Sequence, residues 1–104
     1  MAGYNGDTGE STTIDSRQKT EKPRRYKVLM LNDNYTTMEF VIFVLESIFQ
    51  KPNQEAMQIM LNVHEQGRGT AGVYTRSVAE TKIDSVHRLA EKEGFPLKCT
   101  MEPQ

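Results

Sequence analysis

The sequence predicts an α+β domain in which three helices pack on one face of a small three-stranded antiparallel sheet. Short β-rich runs alternate with stretches whose apolar residues repeat at helical spacing, in the order β-α-α-β-α-β. A chain of 104 residues, with 37% hydrophobic and 26% charged residues, is long enough for one compact domain.

Residues 1–22 differ from the rest in composition, because they are rich in Gly, Ser, Thr and mixed charges and hold one aliphatic β-branched residue, Ile14. Such a segment buries too little apolar surface to offset a chain entropy of ~1–2 kcal/mol per residue. We predict a mobile tail over 1–22 and a folded domain over 23–104, with Pro23 at the boundary. The tail is either an idle linker or a segment that acts on a partner.

The first strand is predicted over 26–31, a run of aromatic and aliphatic residues that stops at the turn-forming residues 32–34. Thr36 and Glu39 have the spacing of a capping box, which predicts the start of the first helix. The buried stripe of that helix is predicted to be Met38, Val41, Leu45 and Ile48.

Asn53 is the predicted N-cap of a second helix, and Gly67 is its predicted stop. A second strand follows over 69–76, with glycines that allow close backbone approach. The apolar residues of the second helix that repeat at helical spacing are Ala56, Ile59, Met60 and Val63.

Ser77 and Glu80 predict another capping box at the start of a third helix, which Gly94 ends. Residues 96–101 then read as the last strand. The buried stripe of the third helix is predicted to be Ala79, Ile83, Val86 and Ala90.

Composition excludes several classes of function. A formal net charge of −1 gives no general attraction to nucleic acid or anionic membranes. The N-terminus lacks the basic start and apolar run of a secretory signal, and the apolar cluster at 40–49 is too short to span a bilayer. One cysteine allows no internal disulfide. We expect a monomeric, cytoplasmic protein that binds neither membranes nor nucleic acid.

The sequence offers no convincing catalytic site. His64, His87 and Cys99 do not have the spacing of zinc ligands, and no glycine-rich phosphate loop is present. His64 and Glu65 point about 100° apart on a helix and cannot act as an acid–base pair. A Cys99–His64 pair stays open, although a lone Cys in a terminal strand is usually buried filler. We predict a protein that is not an enzyme and needs no cofactor or metal.

The polar turn at 32–34 and His64 are the candidates for function. The three turn side chains can all be used in local hydrogen bonds, and His64 can serve as a favourable cation near a helix C-terminus. For both the turn and His64, a purely structural role and a role in binding therefore stay open. Methionine suits a pocket wall that adapts to different side chains.

Four blocks of the sequence resemble the ClpS adaptors. Residues 31–41 resemble their N-D-D-Y-T-P-M-E-F-V signature, and residues 59–64 resemble their M-x-x-V-H helix. Residues 72–82 are similar to their G-V-[FY]-T-x-x-x-A-E-T-K block, and residues 96–102 to their last strand. The blocks occur in the family's order and spacing.

The resemblance implies an adaptor that binds proteins with an N-terminal Phe, Tyr, Trp or Leu and delivers them to a ClpA-type AAA+ unfoldase for degradation. The tail would be needed for delivery. Matching positions imply that the substrate's α-amine is bound by Asn32, Asn34 and His64. They imply a hydrophobic pocket lined by Thr36, Met38, Val41, Met60, Val63 and Leu97, with Met38 at its entrance. They imply docking on the N-domain of the unfoldase through Tyr35, Thr36 and Lys82.

Three positions depart from the family pattern. Asn34 stands where the family has an aspartate that helps to recognise the amine, and exchanging a charged for a neutral hydrogen bond costs ~1–1.5 kcal/mol, or about tenfold in affinity. Thr37 replaces a proline that suits a first helical turn. Ser77 replaces a glutamate of the docking surface in many members. We expect weaker or narrower selectivity than the family pattern implies.

The sequence leaves two other classes of protein open. The first is a non-catalytic protein-interaction domain of the same fold without N-end recognition, such as the C-terminal domain of the ribosomal stalk protein, which would not need Asn32 and His64 together. The second is an RNA-binding α/β module. That module would carry aromatic and basic residues along its strands, whereas the second strand offers only Tyr74 and Arg76.

Overall fold

The structure is a computed structural model that describes residues 23–104, so the predicted tail over 1–22 lies outside the described residues. The predicted order of elements and the three-stranded antiparallel sheet are confirmed. The elements are β1 (Arg25–Leu31), α1 (Met38–Ser47), α2 (Asn53–Gln66), β2 (Arg68–Thr75), α3 (Arg76–Glu93) and β3 (Lys98–Pro103).

β1 is the middle strand of the sheet, and β2 and β3 pair with it in antiparallel fashion on either side. Leu31, the last residue of β1, lies opposite Arg68 on one side and Lys98 on the other. The register with β2 shifts at Val28 and Leu29, a β-bulge within the pair. The loop that leaves β1 therefore starts where β2 and β3 begin.

The helices cover one face of the sheet and bury alternate side chains of β1. Val28 and Met30 are fully buried in the same cluster as Val44 and Leu45 of α1 and Val86 of α3. Leu29 lies between them in sequence and belongs to the opposite face, because strand side chains alternate. This pattern places the core between the helices and the sheet.

Close packing of α2 on β2 depends on Gly69. A Cβ at this position would lie 3.0 Å from Cγ2 of Val63 and 3.2 Å from the carbonyl oxygen of Ile59. Gly67 ends α2 as predicted, in a left-handed conformation (φ 88°) that glycine adopts without strain, and its N–H donates to the carbonyl of Val63. The two glycines fix where the last turn of α2 lies.

The predicted caps are wrong by a residue or more. α1 is capped by Thr37, not Thr36, and the Thr37 hydroxyl accepts a hydrogen bond from the N–H of Phe40 over 3.1 Å. The Thr36 hydroxyl instead donates to the carboxylate of Asp33. Glu39 still lies in the first turn, where a negative charge is favourable.

The other two predicted helix starts are also wrong. Asn53 is not the N-cap of α2 but its first residue, and its side chain donates to the Glu46 carboxylate of α1. Ser77 lies inside α3, which begins at Arg76 directly after β2 and has no side-chain cap. Glu80 forms an ion pair with the Arg76 side chain at 3.1 Å and does not make the predicted capping box with Ser77.

Within residues 23–104, no helix combines the length and the apolar character needed to cross a bilayer.

Candidate functional site

A cavity of about 330 Å³ opens between the loop that joins β1 to α1 and the facing sides of α1 and α2. The loop contributes polar side chains, whereas the helices contribute mostly apolar ones. The lining residues are Asn32, Asp33, Asn34, Thr36, Thr37, Met38, Val41, Met60, Val63 and His64.

A backbone hydrogen bond joins the two polar parts of the cavity. The N–H of Asn32, directly after β1, donates to the carbonyl oxygen of Gly67, directly after α2, over 2.9 Å. His64 lies one turn before Gly67, and the left-handed Gly67 directs the chain back to the sheet. The end of β1 and the last turn of α2 are therefore fixed beside each other, and both Asn32 and His64 line the cavity.

The loop conformation depends on Asp33. Its Oδ1 accepts hydrogen bonds from the N–H of Tyr35 (2.8 Å) and of Thr36 (2.7 Å), and its Oδ2 accepts from the Thr36 hydroxyl (2.8 Å). Burial alone would raise the pKa of Asp33, but these hydrogen bonds outweigh burial and leave the pKa lowered. The carboxylate is therefore ionised near neutral pH, and it is the one acidic side chain among the lining residues.

The helices supply the apolar walls. Val41, Met60 and Val63 are buried and form the interior, whereas Met38 is 52% exposed and lies at the mouth. Met60 and His64 are four residues apart on α2 and therefore share one face of that helix. The arrangement can hold one apolar side chain next to a group that needs hydrogen-bond acceptors.

Of the nine residues predicted for the amine and the pocket, eight line this cavity. Leu97 does not: it precedes β3, is 2% exposed, and packs in the hydrophobic core. Two lining residues, Asp33 and Thr37, were not among the predicted site residues. Asp33 belongs to the polar turn that was singled out, and Thr37 follows from the true position of the helix cap.

The predicted docking residues lie at different ends of α1. Tyr35 is 77% exposed in the loop before α1, and Thr36 beside it lines the cavity. Lys82 of α3 lies near the other end, where its Nζ donates to the carbonyl of Ile48 (2.7 Å) and to Oε1 of Gln50 (3.1 Å). The ammonium group also lies 5.3 Å from the ring centroid of Tyr74. Lys82 thus stabilises the packing of α3 against the end of α1.

Cys99 and His64 do not form a catalytic pair in this cavity, because Cys99 does not line it. The Cys99 thiol is 4% exposed in the core, and burial raises its pKa to about 12. The Cys99 backbone N–H donates to Nε2 of His87 over 3.0 Å. A buried thiol of this kind is unreactive.

Within residues 23–104, the structure is a small α+β domain with a cavity that is polar on the loop side and apolar on the helix side. Comparison with known proteins identifies its family. The profile described as ATP-dependent Clp protease adaptor protein ClpS matches residues 21–100. A Clp protease adapter protein ClpS from Desulfatibacillum aliphaticivorans is 59% identical over 98 residues, which are 94% of this chain and 93% of that relative. The corresponding protein from Lawsonia intracellularis is 54% identical over 86 residues, 83% and 79% of the two chains.

A solved structure agrees with these relatives. ClpS2 of Agrobacterium tumefaciens bound to L-phenylalaninamide superposes with a TM-score of 0.77 at 38% identity, covering 80% of this chain and 100% of that one. The chain belongs to the ClpS family of adaptors of the ATP-dependent Clp protease. It is a member of an adaptor family and not of a family of catalytic proteases.

Proposed function

We propose that this chain binds proteins whose N-terminal residue is bulky and hydrophobic (Phe, Tyr, Trp or Leu) and delivers them to a ClpA-type AAA+ unfoldase for degradation. The observation that carries the proposal is one cavity that combines the polar side chains of Asn32 and His64 with apolar walls from α1 and α2. The phenylalaninamide bound to ClpS2 supports it, since that molecule joins a free α-amine to one benzyl side chain.

Two kinds of interaction would act together. Burial of a Phe or Leu side chain against Val41, Met60 and Val63 is worth ~1.5–3 kcal/mol. Each hydrogen bond from the ammonium group adds ~1.5–3 kcal/mol. A residue inside a polypeptide has the side chain but no free amine. The combination therefore selects chain ends over internal segments.

An ammonium group donates three hydrogen bonds and accepts none, so its partners must be acceptors. The side-chain oxygens of Asn32 and Asn34 and one unprotonated ring nitrogen of His64 supply the acceptors. Asp33 adds negative charge, although its oxygens already accept three hydrogen bonds within the loop. We therefore propose that Asp33 balances the charge of the amine without a direct hydrogen bond to it, and that Asn34 is a neutral acceptor. The affinity for the amine is then lower than it would be with a carboxylate at position 34.

We propose that the unfoldase N-domain docks along α1, from Tyr35 and Thr36 at its start to Lys82 near its end. The exposure of Tyr35 supports this, because a solvated aromatic ring is available to a partner. A helix of ten residues is about 15 Å long, so a single protein interface spans both ends. Lys82 would act mainly by holding the end of α1 in place.

The test is a titration of the full chain with peptides that differ only in residue one (Phe, Leu, Val or Ser), each with a free and an acetylated N-terminus. Phe and Leu peptides are expected to bind only with a free amine, with acetylation weakening them at least tenfold, or more than about 1.4 kcal/mol. His64→Ala should lower the affinity, whereas Glu65→Ala, which changes an exposed neighbour outside the cavity, should not. Equal binding of free and acetylated Phe peptides would falsify the proposal.

A further inference from the structure

We infer that an exposed apolar shelf on α2, formed by Met57 and Leu61, contacts the two residues that follow the bound N-terminal residue and favours apolar side chains there. The inference rests on the proposed function, because it extends the same cavity by one step along the substrate. It makes the chain selective for more than residue one.

The shelf lies on α2 next to two residues that line the cavity. Met60 and His64 line the cavity, and the residues three positions before them are Met57 and Leu61. Residues three or four apart are neighbours on a helix surface. Leu61 is therefore adjacent to His64, and Met57 is adjacent to both Met60 and Leu61. The shelf continues the apolar wall of the cavity outward.

Both shelf residues are open to solvent in a helix whose other exposed positions are polar. Met57 is 44% exposed and Leu61 is 39% exposed when the packing of residues 23–104 is taken into account. Met38, which lines the cavity on the α1 side, is 52% exposed and adds apolar surface at the mouth. Contiguous exposed apolar surface of this kind marks a binding site.

The second and third residues of a bound substrate are close enough to the cavity to contact the shelf. The cavity accepts one side chain and the amine, so the second and third residues lie outside it. An extended chain advances about 3.3–3.6 Å per residue, whereas Leu61 lies less than one 5.4 Å turn before His64. A chain that leaves the amine site along this flank of α2 therefore reaches Leu61 within two residues. An apolar side chain at either position would cover Leu61 and Met57.

The experiment measures affinity for free-amine peptides that begin Phe-Leu-Leu or Phe-Ser-Ser and are otherwise identical and water-soluble. With the full chain we expect Phe-Leu-Leu to bind about fivefold more tightly. In the double variant Met57→Ser, Leu61→Ser, the preference should shrink to within about twofold. The matched control is Val78→Ser, which removes a side chain of similar exposure (42%) from α3, away from the cavity, and should keep the full preference.

The outcomes separate this inference from the function on which it rests. Loss of the preference in the shelf variant, with Phe-Ser-Ser still bound in an amine-dependent way, supports the shelf. Equal affinity of both peptides for the full chain, or a preference that survives in the shelf variant, overturns it while the amine site stands. If acetylation affects neither peptide, the proposed function itself fails. A change of oligomeric state in the shelf variant without any change in peptide preference would assign the shelf to contacts between copies and overturn the inference.

Discussion

At the scale of single residues, the cavity holds an unusual pair of neighbours, a carboxylate at position 33 and an amide at position 34. Asp33 is turned into the loop, where it fixes the backbone of Tyr35 and Thr36. Asn34 is exposed, and its side chain makes no hydrogen bond to another side chain within residues 23–104. The residue free to meet a ligand is thus the neutral one, and the charged residue shapes the loop.

Asn34→Asp should tighten binding of a free-amine Phe peptide by about tenfold, because a carboxylate makes a charge-assisted hydrogen bond with an ammonium where an amide makes a neutral one. Isothermal titration of both proteins at neutral pH checks this. The acetylated peptide is the control, since it has no ammonium group and should gain nothing. An unchanged affinity for the free peptide would show that position 34 does not face the amine.

At the scale of the elements, the junction between α1 and α3 depends on Lys82. Gln50, just after α1, adopts a left-handed backbone conformation (φ 51°), which is uncommon for a residue other than glycine. Its side chain and the carbonyl of Ile48 both accept from the Lys82 ammonium. Lys82 therefore satisfies the end of α1, where carbonyl groups lack partners within the helix.

Lys82→Met should lower the free energy of unfolding by about 1 kcal/mol, a value discounted for the partial exposure of the ammonium. Urea denaturation measures the change. Lys92→Met is the matched control, since Lys92 is exposed on the same helix and should shift stability by less than about 0.5 kcal/mol. Equal stabilities of the Lys82 and Lys92 variants would mean that solvent replaces the Lys82 contacts without loss.

β3 is held against α3 by His87, whose Nε2 accepts from the backbone N–H of Cys99. That bond requires an unprotonated Nε2. Burial lowers the pKa of His87, the positive charge of Lys98 acts in the same direction, and the carboxylate of Asp84 opposes them. The folded state thus favours the neutral imidazole, whereas the unfolded chain titrates near the ordinary value of 6.5.

The sign of the resulting pH dependence follows from this lowered pKa. The stabilisation is fully present above about pH 6.5 and is lost as pH falls through the folded pKa, because protonation is then easier in the unfolded chain. Urea denaturation at pH 8, 6.5 and 5 should show a decrease at the acid end that His87→Ala reduces. Ser85→Ala, on the same helix and without a titratable group, should keep the decrease. If both variants lose the same amount of stability between pH 8 and pH 5, His87 is not the source of the pH dependence.

Sequence patterns predicted the elements well and their ends less well. Apolar spacing located all three helices, and Gly67 and Gly94 were correctly predicted as helix stops because few other residues adopt positive φ. The cap of α1 was predicted at Thr36 because two adjacent threonines satisfy the same local rule. The choice of Thr37 depends on Asp33, which takes the Thr36 hydroxyl. The same competition explains why Thr37 was missed as a lining residue of the cavity.

At the scale of the whole molecule, the cavity exists because two loops are tied at one end of the sheet. The predicted residues came from elements far apart in sequence, and local periodicity could not show that β1 and α2 end side by side. The hydrogen bond between Asn32 and Gly67 and the close approach at Gly69 bring them together. Leu97 is buried in the core and is not among the residues that line the cavity, so its role in a substrate pocket stays a prediction.

The core between the helices and the sheet contains its own reporter of global opening, the thiol of Cys99. With 4% exposure and a pKa raised to about 12, this thiol should resist iodoacetamide at pH 8 in the native protein and react readily in urea, where its pKa returns towards 9.0. The labelling rate should therefore follow the unfolded population. Lys82→Met, at about 1 kcal/mol less stable, should be labelled roughly fivefold faster, and Lys92→Met at nearly the original rate. Mass spectrometry of quenched samples measures both rates. Labelling that is fast in the native protein and equal in both variants would show that β3 detaches from His87 on its own, before the remaining core opens.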